Sequence, residues 1–326
     1  MKKVLITGGA GFVGRRFCKR CLDLGYEVHC VDSIEDKTGG ILPENWPLFN
    51  PLDYDNFKFF KEDCRDYFKR VNEYYDYVFH LAAMVGGRIM IEWHPLAVAE
   101  DLAIDAMYWQ WAKKNKPKKT VYFSSSAAYP IKYQFRENYC LLSEDMIAFD
   151  TDIGMPDLTY GWAKLTGEYL ARLAYQMHGI ESAVYRPFSG YGEDQDMTYP
   201  FPSICQRALD NIGAKTLDVW GTGQQIRDFI YIEDCVTGVM STMDKVNDGD
   251  ALNLSTGINT SFTDFVRTAT GLLGYSPTIN PLSDKPEGCF ARAGDTKKQA
   301  EFGFKYTVPF EEGIKKALKY LEEKKK

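Results

Sequence analysis

The sequence predicts an α/β fold, a doubly wound parallel sheet with a smaller C-terminal domain, and three observations predict it. Short apolar runs alternate with helical segments through residues 1–186 of the 326, which is the pattern of βαβ units. The first run ends in a cluster of glycines, as a buried parallel strand leading into a tight turn does. After Arg186-Pro187 the alternation becomes irregular, prolines cluster at 187, 200 and 202, and a glycine turn follows at Gly221-Thr222-Gly223.

The elements follow in order. Lys3–Thr7 is the first strand, and 11–24 is a helix closed by Gly25. Residues 26–32, 77–83 and 120–125 are strands, with a helix over about 95–114 before the last of them. A long helix at 159–178 ends at Gly179, and 180–185 is a further strand. The lysine-rich end, 315–326, reads as a solvated amphipathic helix and tail. No internal repeat is visible.

Composition narrows the function classes. Apolar residues make up 45% and charged residues 26%, ordinary for a globular chain with a sizeable core. The net charge of −6 argues against nucleic acid or an anionic membrane as the main partner. No apolar run approaches the ~18–20 residues that span a bilayer. The apolar part of Met1-Lys2-Lys3-Val4-Leu5-Ile6-Thr7 is too short for a signal peptide, so a cytoplasmic protein is expected. Cys18-Lys-Arg-Cys21 has the spacing of a metal or redox pair, but it lies within a helix and has no second pair. Reduced, buried thiols are the better account, and no metal is expected. Aromatic residues reach 14%. Tyr129, Tyr160, Trp162, Phe188, Tyr191, Tyr199 and Phe201 fall in segments expected near a site, with core packing the default for each.

Gly8-Gly9-Ala10-Gly11-Phe12-Val13-Gly14 matches glycine spacings for dinucleotide binding at both 9, 11, 14 and 8, 11, 14. It follows a strand, opens a helix and precedes an acid that ends the next strand, which is the context such a motif requires. Gly8, Gly11 and Gly14 let the backbone approach a pyrophosphate, and the helix start at Phe12 and Val13 offers N–H donors and positive dipole. Asp32, 18 positions after Gly14, accepts from the adenosine ribose hydroxyls and repels a 2′-phosphate, which favours NAD over NADP. Arg15 and Arg16 either weaken that preference or are exposed helix residues.

Tyr160-Gly-Trp-Ala-Lys164 places a phenol and an ammonium on one helical face, about 6 Å apart. The ammonium stabilises the phenolate and makes it usable as a base. Ser124-Ser125-Ser126 closes the preceding strand at the carboxyl edge of the sheet, where ligands bind. A hydroxyl there can hold a substrate oxygen while Tyr160 takes its proton.

Together these segments resemble the extended short-chain dehydrogenase/reductase family, specifically its NAD-dependent nucleotide-sugar epimerases and dehydratases, over nearly the whole chain. The resemblance rests on residues 7–14, Val78-Phe79-His80-Leu81-Ala82-Ala83, Ser124-Ser125-Ser126, Tyr160 with Lys164, Tyr185-Arg186-Pro187 and residues 221–229. It implies a Rossmann-type NAD-binding domain over 1–186 and a nucleotide-sugar domain over 187–326, with part of 226–256 returning to the first. Ser125, Tyr160 and Lys164 would be the catalytic trio, with Lys164 also holding the nicotinamide ribose. Asp63 and Cys64 would line the adenine, and Leu81, Ala82, Ala83 and Pro187 would lie along the cofactor.

On the substrate side the resemblance assigns Arg227 and Arg292 to the diphosphate, a task suited to bidentate guanidinium; the plain alternative is a surface ion pair. Gly86 and Gly87 would approach the sugar or form an ordinary turn, with Ser126 and Ser189 nearby. The helices at 95–114 and 159–178 would build a homodimer, although Met107, Trp111, Leu170 and Leu173 serve equally as core.

Departures from the family pattern discriminate among its members. Dehydratases carry an Asp-Glu pair where this chain has Ser126 and Ala127. Residues 85–87 and 286–292 look most like GDP-mannose 3,5-epimerase and GDP-fucose synthase, which points to a GDP-sugar. Those enzymes, however, use a cysteine at the place of Ala127, and the first of them a lysine near Tyr199. Asp101 stands where an asparagine is common, and Ser189 replaces another. The expected activity is therefore epimerisation of a nucleotide-diphosphate sugar through transient oxidation at C4. A 4-dehydrogenase or 4-keto-sugar reductase is the alternative, ahead of a 3,5-epimerase, a 4,6-dehydratase or a non-catalytic nucleotide-binding relative.

Overall fold

The computed structural model describes residues 1–35, 39–84 and 86–325, so Val85 of the 85–87 segment and the terminal Lys326 lie outside the described residues. The first half contains β1 (Lys3–Thr7), α1 (Phe12–Asp23), β2 (Glu27–Asp32), β3 (Phe57–Lys61), α2 (Cys64–Arg70) and β4 (Tyr77–His80). Then come α3 (Arg88–Trp93), α4 (Pro95–Val98), α5 (Glu100–Asn115), β5 (Lys119–Phe123), α6 (Leu158–His178) and β6 (Ser182–Pro187). The single helix expected over 95–114 is thus two, separated at Ala99.

The second half runs β7 (Ser189–Tyr191), α7 (Pro200–Asp210), β8 (Thr216–Trp220), β9 (Ile226–Arg227), β10 (Phe229–Tyr231), α8 (Ile232–Thr242) and β11 (Asp248–Leu254). It closes with β12 (Thr260–Ser261), α9 (Phe262–Leu272), β13 (Thr278–Leu282), β14 (Ala291–Arg292), α10 (Lys297–Glu301) and α11 (Phe310–Lys324).

Seven strands form one sheet in the order β11-β6-β5-β4-β1-β2-β3, and every pairing in it is parallel. Helices cover both faces, which is why its strands read as continuous apolar runs. In β1, Val4 and Ile6 enter the core shared with α1 and α8, and Leu5 enters the opposite core, formed with α2, α5 and α6. Strand order reverses between β1 and β4, and the crevice outside their carboxyl ends is where such sheets bind ligands.

The aromatic excess goes largely into packing. Tyr191, Phe201, Phe229, Phe265 and Phe310 form one cluster in the second half, with Phe229 and Phe310 stacked at 4.5 Å and Phe201 and Phe265 at 5.2 Å. Tyr129 is fully buried and Trp162 is exposed on α6, so neither borders the ligand crevice. Trp111 is also core, with Met107 and Leu170 packed against the same cluster. Cys18 and Cys21 are both buried in α1, and burial pushes the Cys21 thiol well above its ordinary value. Arg15 and Arg16, candidates for exposure, are instead buried against Asp194.

Candidate active site

A cavity of about 900 Å³ opens at the carboxyl edge of the sheet, near the upper end of the range for ligand sites. The turn from β1 to α1 forms one wall through Gly8, Gly11, Phe12, Val13 and Gly14. Gly8 has φ +68°, and a Cβ there would lie 2.7 Å from Ala82 N. A Cβ on Gly14 would lie 2.3 Å from Gly8 O, so the loop folds tightly against the start of α1. Gly11 caps that helix without a side chain and the first turn holds no acid. Its N–H groups and positive dipole therefore remain available to an anion.

Asp32 closes β2, and its carboxylate accepts from Ala10 N at 3.0 Å and Ile34 N at 2.9 Å. Burial pushes this carboxyl above its ordinary value, against the pull of the backbone donors. Each oxygen keeps acceptor capacity for a ribose hydroxyl. Asp63 and Cys64 also line the cavity, but the Asp63 carboxylate already caps α2 through Arg65 N at 2.8 Å and pairs with the Arg65 guanidinium at 2.6 Å. Leu81, Ala82 and Ala83 line the cavity from the loop after β4, not from the strand itself, which stops at His80. Pro187 lines it from the end of β6. The glycine cradle, the open helix start and the cavity-lining Asp32 fit a dinucleotide.

Ser125, Ser126, Tyr160 and Lys164 share the same cavity. Ser125 begins the short turn over Ser126–Ala128, its Oγ accepting from Ala127 N at 3.1 Å. Tyr160 and Lys164 sit one turn apart on α6, with Lys164 Nζ 5.8 Å from the Tyr160 ring centre. Burial pulls the Lys164 ammonium down, but Asp101, Tyr160 and Asp105 more than reverse this and hold it above its ordinary value. One turn further along α6, the buried Glu168 pairs with Arg186 of β6 at 2.7 Å and accepts from the Ser124 hydroxyl. This clamps the helix to the ends of β5 and β6 and fixes where Tyr160 points.

Arg227, Arg292, Ser189 and Gly86 border the cavity as well. Gly87 does not; a Cβ there would lie 2.4 Å from Thr198 O, so this glycine serves close packing. Arg292 donates to Gln134 at 2.7 Å and to Asp157 at 2.8 Å, and Asp157 also receives Arg88 at 2.9 Å. Burial pushes the Asp157 carboxyl upward, yet Arg292 and Arg88 hold it below its ordinary value. Arg227 is different. Its guanidinium donates to the carbonyls of Ile226, Cys289 and Glu287, at 2.7, 3.0 and 3.2 Å, and lies over the Phe262 ring at 5.8 Å, and no carboxylate pairs with it among the described residues. Burial, with Arg292 and Arg88 close by, pulls it below the usual arginine range. Sequence reasoning missed Arg88 and Asp157. Their contacts join positions far apart in the chain, and neither belongs to a short motif.

The sequence profile of the NAD dependent epimerase/dehydratase family matches residues 4–255. The chain belongs to this family. It is an NAD-dependent enzyme, with extended short-chain dehydrogenase epimerases and dehydratases among its structural neighbours. The chain is 30% identical over 294 residues to the "Uncharacterized UDP-glucose epimerase YtcB" of Bacillus subtilis, covering 88% of this chain and 86% of that protein. It is 26% identical over 326 residues to the UDP-glucuronate 4-epimerase of Thermodesulfobacterium geofontis, covering 98% and 96%. Among solved structures, the UDP-glucuronic acid 4-epimerase of Bacillus cereus in complex with NAD is 25% identical, with TM-score 0.79 over 99% of this chain and 100% of that one. The names of these relatives carry UDP, where the 85–87 and 286–292 likeness pointed to GDP. Among the described residues, no helix of this family member is long and apolar enough to cross a membrane.

Proposed function

We propose that this family member is a UDP-sugar 4-epimerase that works by transient oxidation at C4. The observation that carries this reading is the convergence of Ser125, Tyr160 and Lys164 on the cavity that the glycine loop and the carboxylate-free Arg227 also line. In this reading residues 1–186 hold NAD and 187–326 hold the sugar nucleotide, with β11 paired back onto β6. The names of the relatives support uridine as the base.

When bound, NAD⁺ supplies the hydride acceptor for C4. Tyr160 takes the proton of the C4 hydroxyl, with Ser125 donating a hydrogen bond to that oxygen. Lys164 keeps a positive charge beside the phenolate. Arg227 and Arg292 hold the diphosphate, so the sugar can turn in the cavity while its nucleotide stays fixed. On return, Tyr160 gives the proton back to the same oxygen. Ala127 is buried and does not line the cavity, and burial pushes the Tyr199 phenol upward, which keeps it neutral. Neither position then offers a base for exchange at C3 or C5.

Incubation with UDP-glucose, UDP-glucuronate, UDP-N-acetylglucosamine and GDP-mannose in deuterated buffer, followed by NMR, tests this. A C4 epimer of a UDP-sugar formed without added NAD and without deuterium at C3 or C5 is expected. Solvent deuterium at those carbons, or a stoichiometric change at 340 nm requiring added cofactor, would replace the reading.

Exposed Leu102 on α5 and Trp162 and Tyr169 on α6 support a homodimer through these helices, which light scattering would detect. A monomer at all concentrations would remove it. The eight thiols, none paired in a disulfide, support a reducing, cytoplasmic setting.

A further inference from the structure

A buried carboxylate on the neighbouring helix acts electrostatically on Lys164. Asp101, in the first turn of α5, is 1% exposed. Its Oδ1 accepts from Met84 N in the loop after β4. Its Oδ2 is buried and has no hydrogen-bond partner among the described residues, an arrangement proteins rarely retain without a use. One turn on, Asp105 is satisfied at both oxygens, by His80 Nε2 at 3.2 Å and the Tyr122 hydroxyl at 2.5 Å. Lys164 Nζ lies 5.6 Å from the Tyr122 ring centre. The lysine is thus surrounded by Asp101 and Asp105 of α5, Tyr122 of β5 and Tyr160 of its own helix, and it is the charge nearest in influence to Asp101.

We propose that Asp101 is a positioning residue that acts through Lys164, as the counter-charge that sets the pH range in which Tyr160 works as a base. This rests on the reading of Tyr160 as that base. An ionised Asp101 supports the Lys164 ammonium and opposes a phenolate beside it. A protonated Asp101 leaves the whole lysine charge to Tyr160. Burial pushes the Asp101 carboxyl up to about 6; Lys164 and Met84 N pull against this, while Asp105 and Glu100 add to it. His80, behind Asp105, is held below its ordinary value by burial, against the pull of Asp105.

The test is the pH profile of kcat/KM for the NAD-loaded enzyme and for Asp101→Asn, whose amide oxygen can still accept from Met84 N. Both limbs of the bell should move toward acid in the variant, by about half a unit or more. The acidic limb follows because the opposing carboxylate is gone, and the alkaline limb because Lys164 loses its support. In the wild type, two coupled groups make the acidic limb shallower than a one-proton curve. Limbs that stay in place in Asp101→Asn, at full or uniformly reduced rate, would overturn the proposal. So would a clean one-proton acidic limb in the wild type, which decides the matter even if the variant fails to fold. Tyr160→Phe separates the two claims. If it retains activity, the reading of the base is wrong; if it is inactive while the Asp101→Asn limbs do not move, only the role of Asp101 fails.

Discussion

Arg15 and Asp194, 179 positions apart in sequence, meet at 2.8 Å in an ion pair closed off from solvent, and Arg16 reaches the same carboxylate. The contact ties the start of α1, which carries the glycine loop, to the segment that follows β7. Burial works to raise the Asp194 carboxyl, but Arg16 and Arg15 outweigh it and hold the group below its ordinary value. A depressed carboxylate contributes stability above its unfolded value of about 3.9 and loses that contribution as pH falls through the folded value. Asp194→Asn should lose roughly 3–5 kcal/mol at pH 7, because buried Arg15 is left without its carboxylate and Arg16 keeps only Glu233 at 3.2 Å and Glu193 at 3.9 Å. The difference from wild type should shrink below pH 4. Urea denaturation at the two pH values measures this, and a loss under about 1 kcal/mol at pH 7 would mean that the pair is not buried in solution.

The glycine loop makes a second prediction. A methyl on Gly14 would lie 2.3 Å from Gly8 O and 2.5 Å from Gly9 Cα, contacts that the backbone can relieve only by moving the loop from the start of α1. Gly14→Ala should therefore weaken NAD binding by tenfold or more, about 1.4 kcal/mol. Calorimetric titration of NAD into cofactor-stripped protein gives the number. Unchanged affinity would show that the pyrophosphate does not approach this turn.

Tyr160→Phe should lower turnover by about 10²–10⁴-fold, the usual contribution of a positioned acid–base group, while NAD released on denaturation stays stoichiometric. Lys164→Met should lose both activity and cofactor affinity if, as proposed, that side chain serves the phenolate and the nicotinamide ribose together. Epimer formation followed by NMR and cofactor absorbance of the denatured protein separate the two. Equal cofactor loss in both variants would point to a disturbed α6 instead.

The parts of this molecule legible in sequence are those set by short-range pattern. β1 and β4 are continuous apolar runs because both faces of the sheet are covered, and α6 announces its end through Gly179, left-handed at φ +65°. The glycine loop and the Tyr160–Lys164 spacing are local for the same reason. The second half resisted reading because β9, β12 and β14 are two residues long each and exist only through pairing with distant segments. Asp157 illustrates the same limit within the site. Its partners Arg88 and Arg292 lie 69 and 135 positions away, so no window of sequence shows that the residue three before Tyr160 organises the arginines. Gly87 left two readings open in sequence, a sugar contact or an ordinary turn. Its space is filled by the backbone of Thr198.

Arg227 gives a prediction in which stability and binding move in opposite directions. Its guanidinium is half-buried among carbonyl oxygens with no carboxylate partner among the described residues, and Arg292 and Arg88 depress it further. A half-buried charge left in that condition is a burden on the free protein and an asset only when an anion arrives. Arg227→Met should therefore leave the thermal midpoint of the substrate-free enzyme unchanged or raised. The same variant should raise KM for the sugar nucleotide by about 10–100-fold, the equivalent of losing a hydrogen bond to a charged group, with NAD affinity intact. Melting curves with and without UDP resolve the two effects. UDP should stabilise the wild type and do little for the variant. If instead Arg227→Met melts several degrees lower without ligand and UDP still protects it, the arginine holds the fold together and the diphosphate is gripped elsewhere.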